Sequence, residues 1–302
     1  MAGSLQPRAA RALAVAGVFC FALLATALPA GRAARADDIA PSQESIGDAL
    51  PEGAALTGRQ IYERFLQNRL HSAVQHQTVV SKDPGGNDQY TRFWVQYKDY
   101  TSERFARDRG EVGDDVASKT LVKFDDPPDM RHTGYLMITK IDRSSDQFVY
   151  RPSDRRVRRV RLEGMTVMGT DYTFDDITYR DMTDAQYKRL PDEAFEDIPC
   201  FVIEMQLPER VEAEHYRTVT YLDKQHYVPL RQRFWDRADV EIREMRANTR
   251  SMREFDGVWV ATESSMYDLQ EGTTSTLLIE NLDPNPALGE QLFSMFRLEL
   301  RR

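Results

Sequence analysis

The sequence predicts an α+β protein, mainly antiparallel β, and three observations carry that expectation. Apolar residues recur with period 2 in short runs. Phe93, Val95 and Tyr97 alternate with Trp94 and Gln96, and Phe201, Ile203, Met205 and Leu207 alternate with Val202, Glu204 and Gln206. That is the pattern of strands with one buried face. Turn residues separate the runs at Pro84-Gly85-Gly86, Pro127-Pro128, Pro152-Ser153-Asp154, Asp256-Gly257 and Glu271-Gly272. A firm helical pattern occurs in one place only, after Thr57. Strands so closely spaced, with few helices between them, favour a mostly antiparallel meander curling on itself.

Residues 1–36 read as a secretory signal peptide. Arg8 and Arg11 precede the apolar run Ala12–Ala30, and Ala34-Arg35-Ala36 is a small-x-small cleavage site. A retained membrane anchor is the rival reading, and the cleavage site favours removal. A lipid-modified Cys20 is disfavoured by the bulky Phe19 before it. The segment carries four arginines and no acids, so the exported chain has 36 basic and 48 acidic side chains, a net charge of −12. That balance argues against nucleic acid as a partner. Cys200 is the single thiol left, so no internal disulfide is expected in the exported chain. No second apolar run is long enough to span a bilayer, so a soluble periplasmic protein is expected.

Residues 37–55 form a polar lead-in with Pro41, Pro51 and Gly53. Thr57-Gly58-Arg59-Gln60 is a capping box, and Ile61, Phe65, Leu66 and Leu70 mark one face of a helix running to about His71. Beyond the two runs already described, strands are marked by Val219 and Tyr221, Leu230 and Phe234, Val258 and Val260, and Leu277 and Ile279. Gln186–Leu190 fits a short helix or a strand, and Pro286–Phe293 fits a short helix with Pro286 in its first turn. With neither linker nor internal repeat, residues 56–302 read as a single domain.

The segment 147–177 is the most distinctive. Arg151, Arg155, Arg156, Arg158, Arg159 and Arg161 place six cations in eleven residues. Two readings stand: an exposed strand whose charges discourage edge pairing, or a docking surface for anionic headgroups or an acidic partner. Val157 and Val160 are three apart, which predicts a β-bulge near Arg158-Arg159 if both face one core.

Catalytic and metal chemistry find no support. His71, His76, His132, His215 and His226 show no metal-ligand spacing and read as exposed polar residues. Asp171, Asp175 and Asp176 do not match a calcium loop and suit capping or turn hydrogen bonds. Nucleophile-elbow, phosphate-loop and dinucleotide motifs are missing from the sequence. Cys200 reads as a small buried hydrophobe. No catalytic residue, metal site or cofactor is expected.

These residues resemble the outer-membrane lipoprotein-sorting family, the LolA/LolB-like periplasmic lipid carriers. The likeness rests on Phe148-Val149-Tyr150-Arg151-Pro152, on Arg155–Val160, and above all on Met168-Gly169-Thr170-Asp171-Tyr172-Thr173-Phe174-Asp175-Asp176. That last stretch is similar to the family signature F-M-G-S-D-F-x-Y-E-D-L, with Thr170 in place of serine and Val167 in place of the leading phenylalanine. Pro199–Met205, Tyr221-Leu222-Asp223, Val228-Pro229-Leu230 and Thr276–Leu282 extend the likeness over roughly 55–302.

The resemblance implies a strongly curved, half-open β-barrel with a few helices covering a concave apolar face. It implies a non-enzymatic periplasmic carrier that takes lipid or lipoprotein acyl chains into an apolar cavity and contacts membranes transiently. The inward-facing candidates are Phe93, Val95, Met137, Phe201, Ile203, Met205, Phe234 and Met266, with the helix near 57–71 as a lid. Met137, Met168, Met205 and Met266 add side chains able to adapt to variable chains. A second class is a non-catalytic partner subunit of a resistance-nodulation-division type lipid exporter, docking through Arg155, Arg156, Arg158 and Arg159. An envelope-lipid hydrolase is a third class, without a nucleophile–base pair to support it.

Overall fold

The computed structural model describes residues 55–82, 85–102, 112–141, 144–161, 166, 169–173, 185–208 and 213–300. The expected signal peptide, the lead-in up to residue 54, Met168, Asp175 and Asp176 lie outside these residues. Helix α1 (Gly58–Gln67) begins at the capping box. The Gln60 amide donates to Thr57 Oγ1 (3.2 Å) and the Thr57 amide donates to Gln60 Oε1 (2.9 Å). The helix stops at Asn68, a few residues before the expected end, because Ser72 opens the first strand.

The chain continues through β1 (Ser72–Lys82), β2 (Asp88–Asp99), β3 (Val116–Asp126), β4 (Gly134–Lys140), β5 (Asp146–Arg151) and β6 (Arg156–Arg159). A second run comprises β7 (Gln186–Phe195), β8 (Ile198–Gln206), β9 (Arg217–Asp223), β10 (Pro229–Trp235) and β11 (Glu241–Ala247). The hairpin β12 (Met252–Phe255) and β13 (Val258–Ala261) follows, then β14 (Glu263–Asp268) and β15 (Thr273–Pro284). A 3-10 turn (Glu290–Phe293) leads into helix α2 (Met295–Glu299). Gln186–Leu190 is therefore strand, and the expected helix at 286–293 begins later, at Glu290.

Thirteen strands form one antiparallel sheet in the order β6-β5-β4-β3-β2-β1-β15-β14-β11-β10-β9-β8-β7, with β12–β13 as a separate hairpin. Two meanders thus meet where the first strand pairs with the last. A barrel would need β6 to pair with β7, its neighbour in sequence. The two do not pair, and both are edge strands. The strongly curved half-open barrel is accordingly corrected: the sheet is open and not strongly curled, and the described residues hold only two short α-helices. The edges explain why. Strand β6 is four residues long, and three of them are arginines. Strand β7 contains Pro191 inside a register shift between Leu190 and Glu193. Charge, proline and irregular pairing are the devices that keep strand edges apart.

Cross-strand partners define two faces. Val95, Val122, Tyr135 and Val149 stand opposite one another on successive strands of the front face. Phe93 and Phe124 pair beside them, with Val79 opposite Leu277 across the β1–β15 junction. Helix α1 covers the β7–β9 end of this front face through Ile61, Tyr62 and Leu66 against Ile203 and Leu222. The C-terminal segment covers the opposite face at the other end, where Phe293 and Leu298 pack with Leu121, Leu136, Phe148, Tyr150 and Val157.

Both faces of many strands are therefore apolar, and this overturns two finer expectations. Strand β8 buries Cys200 and Val202 on the back face as well as Ile203 and Met205 on the front. Pairing through β6 is regular, with Arg156, Val157, Arg158 and Arg159 opposite Arg151, Tyr150, Val149 and Phe148, so the expected bulge is not present. Val157 serves the back cluster while Val160 packs on the front one, so the two valines never needed to share a face.

Candidate functional site

The front face holds the largest apolar cluster: Val79, Phe93, Val95, Val122, Phe124, Tyr135, Met137, Val149, Tyr172, Phe234, Ile242, Met245, Met266 and Leu277. Phe93 and Phe124 lie 5.2 Å apart, and Phe124 meets Tyr135 edge-on at 6.1 Å. Strand register puts all eight residues named from the sequence on this one face. Phe93, Val95, Met137, Phe234 and Met266 fall in the central cluster. Phe201 and Ile203 lie beneath α1, and Met205 stands opposite Tyr187 on β7.

Residues 169–173 of the signature lie across this face. Gly169 takes a positive φ of 70°, a conformation that suits glycine. The Asp171 carboxylate accepts hydrogen bonds from Ser275 Oγ (2.6 Å) and Thr273 Oγ1, and the Asp171 amide donates to Ser275 Oγ (3.0 Å). Tyr172 is buried in the cluster, its hydroxyl donating to the Ser264 carbonyl (3.0 Å). Arg243, buried on β11, donates to the Asp171 carbonyl (3.1 Å) and to Glu214 (2.6 Å). Asp171 thus anchors the signature to the sheet, a larger role than the local turn bonding expected of it. Asp171 grips β15 while Tyr172 enters the core.

Polar residues interrupt the apolar surface. Gln75, Gln77, Thr91, Thr120 and Thr218 are buried on the front face. Gln77 Nε2 donates to Gln75 Oε1. Gln77 Oε1, Thr91 Oγ1 and Thr218 Oγ1 have no hydrogen-bond partner among the described residues. The face is amphiphilic, with an apolar centre and scattered hydrogen-bonding groups.

The histidines depart from the expectation of exposed polar residues. His215 is buried with its ring 4.9 Å from Phe234, and His226 stacks on Trp259 at 4.1 Å. On the back face, His76 Nδ1 lies 2.8 Å from Glu280 and its ring 4.7 Å from Trp94, whose Nε1 donates to Asp125 (2.9 Å). Glu280 and Asp125 are the extra residues of β-bulges in β15 and β3. A bulge leaves no trace in a period-2 pattern, so this group was not legible in the sequence. Cys200 is fully buried, and burial pushes its thiol up to about 11. No group of three or more His, Cys, Asp or Glu side chains able to hold a metal occurs among the described residues.

Arg155, Arg156, Arg158 and Arg159 lie together at the β6 edge, and all are exposed. Arg155 occupies the tight turn before the strand at φ 49°. Arg158 pairs with Asp154 (3.2 Å) and Arg159 with Asp146. Arg155 and Arg156 form no ion pair among the described residues.

A family model described as "Uncharacterized protein" matches residues 117–300. No curated protein matches the sequence. Among solved structures, the chain is similar to a Vibrio parahaemolyticus domain described as an outer membrane lipoprotein-sorting protein. The TM-score is 0.69 at 21% identity, covering 80% of this chain and 98% of that one. A DUF1329 family protein from Desulfovibrio piger gives 0.69 at 19% identity, covering 80% and 99%. A LolA superfamily protein from Nitrosomonas europaea gives 0.60 at 18% identity, covering 80% and 100%. The chain shares its fold with these three structures, and it belongs to the family of the model that matches 117–300.

Proposed function

We propose that this chain is a non-enzymatic periplasmic carrier whose front face receives lipid or lipoprotein acyl chains and passes them between envelope components. In this reading residues 1–36 direct export, 37–55 are a lead-in and 56–302 form one lipid-binding domain. The observation that carries the proposal is the apolar cluster of the front face, which reaches from β5 across the β1–β15 junction to β10. Phe93, Val95, Met137, Phe234 and Met266 line its centre, and Phe201, Ile203 and Met205 its α1 end. Similarity in fold to a lipoprotein-sorting domain supports the same reading.

The physical argument needs no covalent chemistry. Burying apolar chain yields roughly 0.8 kcal/mol per methylene, so partial insertion of one acyl chain already gives useful affinity. Tyr172 and the segment around it occupy the face, so loading requires the signature to give way or an acyl chain to enter beside it. The buried threonines and glutamines supply hydrogen-bonding groups for an ester or amide linkage.

Native mass spectrometry of the protein purified from periplasm, with extraction of bound lipid, tests the proposal. A co-purifying lipid, displaced by a fluorescent fatty acid, is the expected result. Protein free of lipid that also fails to bind the fatty acid would sink it.

A further inference from the structure

The geometry points to a second site, at the β6 end of the sheet: a docking surface for an anionic membrane, built from the arginine edge strand and the exposed side of helix α2. It is independent of whether the front face carries a lipid.

Two features share this edge of the sheet: arginines that leave it on both sides, Arg156 and Arg158 on the front and Arg159 on the back, and helix α2 on the back face. The first is charge. Arg155, Arg156, Arg158, Arg159 and Arg161 project from the terminal strand and its flanks in a chain whose overall balance is acidic. Asp154 and Asp146 pair with Arg158 and Arg159. Arg155, Arg156 and Arg161 have no such partner among the described residues. Beside the strand lies a depression of about 480 Å³ lined by Ser144, Ser145, Gln147, Arg159, Val160 and Arg161. The Arg161 guanidinium and two hydroxyls around one hollow can meet the oxygens of a phosphodiester, and Arg159 can join them by exchanging Asp146 for the phosphate.

The second feature is apolar. Helix α2 packs on β4, β5 and β6, with Leu298 buried beside Val157 of the arginine strand. Phe296 lies about 200° around the helix from Leu298 and is 70% exposed. Met295 and Leu300 are 49% and 36% exposed. Thus half of the six large exposed hydrophobic side chains among the described residues lie in six consecutive positions here. The only acid within α2 is Glu299, and Arg297 lies on the same turn.

An aromatic tip beside a basic strand is the combination that holds a peripheral protein at a membrane interface. Apolar side chains enter the headgroup boundary while cations meet lipid phosphates. Cations at the strand edge and an apolar tip on α2 complement the two layers of an anionic bilayer surface, phosphates outside and acyl chains beneath. Such a surface would bring the chain to a donor or acceptor bilayer.

Co-sedimentation of the chain purified from periplasm, with vesicles of phosphatidylcholine alone or mixed with phosphatidylglycerol, tests the site. Binding is expected to the mixed vesicles, at least tenfold tighter than to phosphatidylcholine, and to weaken with added salt. The triple variant Arg155→Ser, Arg156→Ser, Arg158→Ser should bind about a hundredfold more weakly, at about fivefold per arginine. Phe296→Ser should lose about tenfold and keep the salt dependence. All substituted side chains are exposed, and unchanged thermal midpoints would verify that the variants fold.

Equal binding to both vesicles, no binding, or a triple variant indistinguishable from the parent would each overturn the proposal. Release by millimolar inorganic phosphate would also overturn it, reassigning the arginines to a free anion. Failure on vesicles, with cross-linking from position 156 to an inner-membrane protein in cells, would overturn it in favour of a protein partner. Lipid co-purification reads only the front face, so the two proposals fail separately.

Discussion

The two ends of the sheet are both capped by a short helix, but on opposite faces and by different forces. At the β7 end, α1 lies on the front face, held by apolar packing and close approach. Hydrogen bonds also join Asn68 to the Trp259 backbone and Arg64 to the Tyr227 hydroxyl. Ile61 is fully buried, Tyr62 sits 4.5 Å from Tyr187, and Gly58 lets the helix approach the β7 backbone closely. At the β6 end, the C-terminal segment lies on the back face and is tied down by lysines. Lys98 donates to Glu290 (2.8 Å) and to the Leu288 carbonyl (2.9 Å), and Lys119 and Tyr100 reach the same carboxylate. Lys123 donates to the carbonyls of Leu298 and Leu300. Among the described residues, the front face therefore has a helical cover at the β7 end alone. Toward β6 it depends on the Tyr172 segment and on partly buried Met130 and Val160.

The C-terminal segment should therefore fail through charge and α1 through shape. The largest effect is expected at Glu290. Lys98 is only 2% exposed, and Glu290→Ala removes the carboxylate to which its buried ammonium donates. The cost should be about 3 kcal/mol, read as a shift in the urea midpoint, with proteolysis opening first within 286–300. Against the upward push of burial, hydrogen bonds from Lys98, Tyr100 and Lys119 hold the Glu290 carboxyl below its ordinary range. Its contribution is present above the ordinary carboxylate pKa and is lost as pH falls through the lowered one. Acid should therefore loosen the C-terminal segment in the parent and have less effect in Glu290→Ala.

Gly58→Ala tests the other end. A Cβ there would stand 2.7 Å from Arg189 N and from the Lys188 carbonyl carbon, both backbone atoms that cannot swing away. Helix α1 must lift, at a cost of about 2 kcal/mol, and the loss should be insensitive to pH and salt. An unchanged midpoint would show that α1 rests loosely on β7, as a mobile lid would.

The sequence made one half of this comparison legible. Thr57 and Gln60 announced α1 because a capping box is local, and period-2 runs announced the strands because each buries a face. Parity groups Phe93 with Val95 and Phe201 with Ile203 within their own strands; that the two pairs share a face follows only from the strand pairing. What stayed hidden depends on long-range pairing. Whether β6 meets β7 is decided by arginines and by Pro191, which mark edges only once the strand order is known. The Lys98–Glu290 contact spans 192 positions, and the lysines read as ordinary strand polar residues. Arg243 shares parity with Met245 on β11, which in hindsight flags a buried cation facing the signature.

The smallest expected effect concerns Lys123, and it separates the two caps by sign. Burial, with the Arg297 charge beside it, pushes this ammonium down to about 8 from an ordinary 10.5. A lysine with a lowered folded pKa is a destabilising group while it is charged in both states, below about pH 8. Between pH 8 and 10.5 the unfolded chain binds more protons than the folded one, so stability rises with pH across that window. Solvent screening at this partly exposed site limits the gain to under about 1 kcal/mol. Urea titrations of the parent and Lys123→Met at pH 8 and pH 10 measure it. The parent should gain on Lys123→Met as pH rises, and Gly58→Ala should follow the parent at a constant offset. A parallel course for all three proteins would mean that Lys123 bears no desolvation cost, and that the C-terminal segment is held by apolar contacts after all.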